Sequence, residues 1–99
     1  NATRLLDRLG LLPALEAASV APRAIELRDA RSLKPLAAVA LGDFAAKRWG
    51  APYLVIHRGD LQRILLDAAL REPQIAIRFG TEIDHSTHAD LTIGADGVW

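Results

Sequence analysis

Tyr53-Leu54-Val55-Ile56-His57-Arg58-Gly59-Asp60-Leu61-Gln62 is the stretch on which the fold turns. Its first four residues are aromatic, aliphatic and β-branched, the make-up of a buried strand. His57-Arg58-Gly59-Asp60 breaks that run. From Asp60 the period changes. Leu61, Ile64, Leu65, Ala68 and Ala69 fall on one face of a helix over about three turns. Asp60 puts a carboxylate where the helix dipole favours it. Pro73 ends the helix.

On the C-terminal side, Ile75-Ala76-Ile77-Arg78-Phe79 alternates and reads as a strand. Thr81 to His88 is polar connection. Leu91-Thr92-Ile93 reads as a short strand running into Gly94-Ala95-Asp96-Gly97. On the N-terminal side, Gly42 to Gly50 is a connector with a helical turn at Phe44 to Arg48. Ala24-Ile25-Glu26-Leu27-Arg28-Asp29 alternates as a half-buried strand, and Leu36, Val39 and Leu41 follow a polar tip. That predicts a β-hairpin over 24–41. Residues 1–19 read as two short helices meeting near Gly10 to Leu12. Leu5, Leu6, Leu9 and Leu12 form the stripe of the first, Asn1 or Thr3 caps it, and Pro13 opens the second. The fold class is α/β, or α+β by content, with no repeat and no low-complexity linker.

Composition narrows the function. The 99 residues make room for one domain at most. Apolar residues are 51% and charged residues 24%, enough to bury a core. Twelve basic side chains balance twelve acidic ones, so the basic excess of a nucleic-acid or membrane-surface binder is missing. Without Cys there is no disulfide frame, thiolate metal site or Cys nucleophile. No apolar run reaches the ~20 residues of a membrane span, and with no basic stretch leading into an apolar one no signal peptide is expected. Arg outnumbers Lys ten to two, a composition that hints at a high-GC bacterial gene. Met is absent even at position 1, as expected of a processed or truncated chain.

Two places could carry chemistry. Arg58 lies at a strand–helix turn, where helix N–H groups accept phosphates and a guanidinium adds a bidentate donor. The plain alternative is a solvated Arg, or one paired with Asp60 or Asp96. At 94–97 a strand runs into Gly-Ala-Asp-Gly, which lets backbone approach a ligand and leaves Asp96 to accept from sugar hydroxyls. The plain alternative is an Asp-Gly turn. His85-Ser86-Thr87-His88, flanked by Asp84 and Asp90, reads as a solvated loop, because two His three apart need a helix to converge on a metal. No G-x-S-x-G, P-loop or G-x-G-x-x-G is present. Trp49 and Trp99 read as packing anchors.

Taken together, Asn1 to Leu11, Tyr53 to Gln62 and Asp90 to Trp99 resemble, in order and spacing, three segments of FAD-dependent aromatic-ring monooxygenases of the salicylate- and hydroxybenzoate-hydroxylase type. Asp96-Gly97 is similar to the family's DG motif, and Arg58 to its flavin-contacting Arg. The resemblance implies an interior fragment, 1–99, of an FAD-binding, glutathione-reductase-like domain. In it, 1–19 would supply helices, 24–41 a hairpin of the substrate-side sheet, and 53–99 the strand–helix–strand part ending in the DG motif. It implies FAD as cofactor and NAD(P)H as co-substrate. O2 and a small aromatic molecule would be the substrates, in a cytoplasmic enzyme that leaves a homodimer open. Arg58, Asp96, Gly97 and, less directly, Gln62 would bind cofactor. No catalytic residue and no metal ligand is implied.

The chain departs from the family's pattern in three ways. The dinucleotide fingerprint and the acidic residue for the adenosine ribose are missing. The stretch from Thr81 to Ala89 is short, where family members carry strands of a small meander. The 99 residues alone are therefore expected to be inactive. Two alternatives stay open: another FAD oxidoreductase of the same fold (reductase, halogenase or epoxidase), or a non-catalytic, degenerate flavin-domain module used for interaction.

Overall fold

A computed structural model describes residues 2–82, 89–95 and 97. Helix α1 covers Ala2–Arg8 and α2 covers Leu12–Ala17. Gly10 separates them at φ 72°. Its N–H bonds to the Asp7 carbonyl at 2.8 Å, and the Leu11 N–H reaches the Leu6 carbonyl at 3.0 Å. These paired bonds end a helix where a left-handed residue costs least, and Gly has no Cβ to oppose it. Pro13 sits in the first turn of α2, where its missing N–H is not needed. The expected two-helix start is therefore present, and the turn buries Leu11 and Leu15.

Strand β1, Ser19–Val20, pairs antiparallel with β4, Val55–Ile56. Between them lies the predicted hairpin: β2, Ala24–Arg28, against β3, Pro35–Ala40. Ile25 faces Val39 and Leu27 faces Ala37, with an irregularity between Leu27 and Arg28. The Leu41 N–H closes the hairpin base on the Arg23 carbonyl at 2.8 Å. Asp29 closes the tip. Its Oδ1 accepts from the Arg31 N–H at 3.1 Å and from the Ser32 N–H and hydroxyl, each at 2.7 Å. This holds Leu33 at φ 56°, a conformation that costs a side-chain-bearing residue about 1 kcal/mol.

Helix α3, Asp43–Trp49, is a fuller element than the single turn expected there. Gly50 ends it in the left-handed region. Leu41, Ala45 and Ala51 are buried around it. Helix α4, Arg58–Leu70, is the longest element at 13 residues. It begins two residues before Asp60, because His57 rather than Asp60 caps it.

Several sequence expectations are corrected. Tyr53–Ile56 is not a buried strand. Only Val55 and Ile56 pair, with β1 alone, and Val55 is exposed. The hairpin is not half-buried: Ile25 and Leu27 are 51% and 61% exposed on its apolar face. Ile75–Phe79 and Leu91–Ile93 belong to no strand. Alternation sets which face of a segment is apolar, but a strand also needs a neighbour to receive its N–H and C=O groups. Among the described residues these two segments have none. The described elements mix helix and strand, as α+β content requires, and both ladders are antiparallel.

The outcome is an open molecule. Its accessible surface is 9000 Å², where a closed monomer of this mass shows about 5500 Å². Its radius of gyration is 18.7 Å, against about 13 Å for a compact chain of this length. Among the described residues no helix is long and apolar enough to cross a membrane.

Candidate functional site

The site is built at the start of α4. His57 takes extended backbone, φ −67° and ψ 137°, and its Nδ1 accepts the Gly59 N–H at 3.2 Å. The His57 carbonyl accepts from the Asp60 and Leu61 N–H groups at 3.0 and 3.1 Å. The free N–H groups that make a helix N-terminus attractive to anions are thus mostly occupied here. Attraction for an anion falls on the Arg58 guanidinium instead.

Arg58 is the first residue of α4 and is exposed. The obvious local partner for it was Asp60. That carboxylate is instead held by Arg63, Nη2 to Oδ1 at 2.8 Å, one turn along the helix. Among the described residues the Arg58 guanidinium has no ion-pair or hydrogen-bond partner. The other suggested partner, Asp96, lies outside the described residues.

Beside Arg58 runs an open groove of about 540 Å³. It is lined by Leu61, Leu65 and Leu66 of α4 and by Phe79, with Arg58 and Gln62 as its polar groups. Arg58 and Gln62 are four residues apart, so they share a helix face. A donor cation beside an apolar, partly aromatic slot suits a ligand with a phosphate and flat rings. FAD has that chemistry, and the residues present fit such a portion of it.

The structure therefore brings Arg58 and Gln62 together. It does not bring Gly97 to them. Gly97 is exposed at φ 88°, a Cβ added there would touch no described residue, and it does not line the groove. His85 and His88 also lie outside the described residues, and no group of three potential metal ligands exists among those described. Two features escaped the sequence reading. The His57 cap was hidden because Ser, Thr, Asp and Asn are the usual caps. Phe79 was read only as part of a strand, though the Gly80 after it marked a turn.

A second, smaller cavity of about 200 Å³ lies between α1, α2, β4 and α4. Ser19 faces it, and its buried hydroxyl has no hydrogen-bond partner among the described residues.

No family model matches the chain. Over 99% of its length it is 39% identical to 3-amino-4-hydroxybenzoate 2-monooxygenase of Streptomyces cremeus. Over the same share it is 31% identical to 6-hydroxynicotinate 3-monooxygenase of Pseudomonas fluorescens. It is 28% identical over 98% of its length to 3-hydroxybenzoate 6-hydroxylase of Klebsiella oxytoca. The expected kinship with aromatic-ring monooxygenases is borne out, and the relatives are enzymes. The chain spans 28% to 29% of the lengths of these relatives. The match to the Streptomyces cremeus enzyme runs over 111 positions, and the chain has 99 residues. That relative therefore carries at least 12 positions within the matched stretch that this chain lacks.

Proposed function

We propose that this chain, kin along its length to monooxygenases of small aromatic substrates, is the cofactor-contacting middle of an FAD-dependent hydroxylase. The reaction places one oxygen atom of O2 on an aromatic ring, with NAD(P)H as reductant. The observation that carries the reading is the end-to-end similarity to hydroxylases acting on three different ring substrates. The geometry at α4 supports it.

In this reading Arg58 binds a phosphate oxygen of the cofactor, and Gln62 orients its polar chain through the side-chain amide. Leu61, Leu65 and Leu66 keep water from the apolar part. By the resemblance, Asp96 and Gly97 would add the DG-motif contacts, with Gly97 reaching a part of the cofactor outside this groove. When bound, FAD supplies the redox chemistry, taking hydride from NAD(P)H and activating O2. No side chain is assigned as acid or base.

The test is NAD(P)H oxidation by the intact protein with a panel of hydroxybenzoates and hydroxynicotinates, with product analysis. Substrate-dependent oxidation coupled to a hydroxylated product is expected. Turnover without hydroxylated product, or without need of O2, overturns the assignment.

A second reading is a flavin-type domain that has lost catalysis and serves interaction. The shorter length favours it, since this chain lacks at least 12 positions that the Streptomyces cremeus relative carries in the matched stretch. A cooperative melt with no FAD-dependent activity in the intact protein would select it.

A further inference from the structure

We infer that Phe79 is the ring-contacting wall of the Arg58 groove, holding a planar heteroaromatic ring of the cofactor while Arg58 takes a phosphate. This rests on the flavin reading above. Phe79 is 73% exposed, although it lines the same groove as Arg58 and Gln62. Among the described residues it belongs to no strand ladder. The Thr81 hydroxyl donates to the Phe79 carbonyl at 3.3 Å, and Gly80 turns the chain at φ 62°.

The rest of the groove wall is aliphatic. Leu61, Leu65 and Leu66 lie on α4 within about 12 Å of Arg58 along the axis, at 1.5 Å rise per residue. That separation suits a nucleotide whose phosphate is at Arg58. A flat ring between this wall and the Phe79 phenyl is covered on both faces, the arrangement by which aromatic side chains hold bases without reading their edges. FAD has two such rings, adenine and isoalloxazine. ADP carries only the first and FMN only the second.

The experiment titrates FAD, ADP and FMN into the intact protein and its Phe79→Ala and Phe79→Trp variants, by flavin fluorescence and calorimetry, with a thermal melt of each. Phe79→Ala is expected to weaken FAD about ten-fold. Phe79→Trp is expected to keep affinity within roughly two-fold, because it retains a flat face. The loss should be shared by one fragment, ADP or FMN, which identifies the ring. Unchanged FAD affinity in Phe79→Ala overturns the inference. So does an equal loss for ADP and FMN together with a lowered melting temperature, which is general loosening. An unaltered protein that binds no FAD overturns the flavin reading and this inference with it. One that binds FAD equally with and without Phe79 overturns this inference alone.

Discussion

The imidazole Nδ1 of His57 accepts the backbone N–H of Gly59 at 3.2 Å, so α4 is capped by a residue type seldom found at that position. The bond also explains Gly59: a Cβ there would sit 3.3 Å from His57 Nδ1. His57→Ala should lower stability by about 1 kcal/mol, as loss of an N-cap does, and His57→Asn should recover most of it. Thermal melts followed at the helical circular-dichroism band would check this. Equal stability of His57→Ala and the parent would show that the cap contributes nothing.

The Arg58 side chain makes no bond to any described residue, so its removal should spare the fold and fall on the ligand. Arg58→Ala is expected to weaken FAD binding by roughly 10- to 100-fold, the worth of a charge-assisted hydrogen bond. Arg58→Lys should recover only part, since an ammonium lacks the bidentate fork. Flavin-fluorescence titration of the intact protein reads both. A melting temperature that falls with affinity would instead make Arg58 structural.

Asp29 has its carboxyl held below its ordinary value of 3.8. Three hydrogen bonds are the cause: the Ser32 N–H first, then the Ser32 hydroxyl, then the Arg31 N–H. A depressed acid stabilises the folded state above its unfolded pKa, and that contribution disappears as pH falls through the lower, folded value. The hairpin tip should therefore loosen only below about pH 4. The Ser32 amide resonance should move with that titration, and in Asp29→Asn it should stay fixed over the same range.

The Ser19 hydroxyl is buried at the wall of a cavity and has no partner among the described residues. Such a group costs about 1–3 kcal/mol relative to being satisfied. Ser19→Ala should raise stability by about 1 kcal/mol. A urea midpoint that shifts downward would mean that an ordered water serves the hydroxyl and that the cavity is wet.

The helical part of this chain was legible because its signals are local. Leu61, Ile64 and Ala68 repeat at the helical period, and Gly10 and Pro13 mark the break between α1 and α2. The hairpin was legible for the same reason, since Ile25 and Leu27 alternate with Glu26 and Arg28. What covers those faces is a long-range matter. Alternation at Ile75–Phe79 and Leu91–Ile93 states a preference for extension but names no partner. At the site, Arg58 stood out as a cation at a strand–helix turn, and Gln62 was named only through the family resemblance. Phe79 was not legible, because what brings it to α4 is a turn at Gly80 and a tertiary approach.

Pro35 opens β3 without an N–H, and the irregularity between Leu27 and Arg28 lies directly across from it. Together they spoil the hairpin for strand addition at its tip end, where a proline and a distorted ladder reject an incoming chain. The other end has no such guard. There Ala24–Ala40 and Ile25–Val39 form a regular ladder with an apolar face exposed. Self-association of this polypeptide should therefore begin at the Ala24–Ala40 end. A lysine placed at Val39 should suppress turbidity more than one placed at Leu36, a difference that light scattering on heating would register.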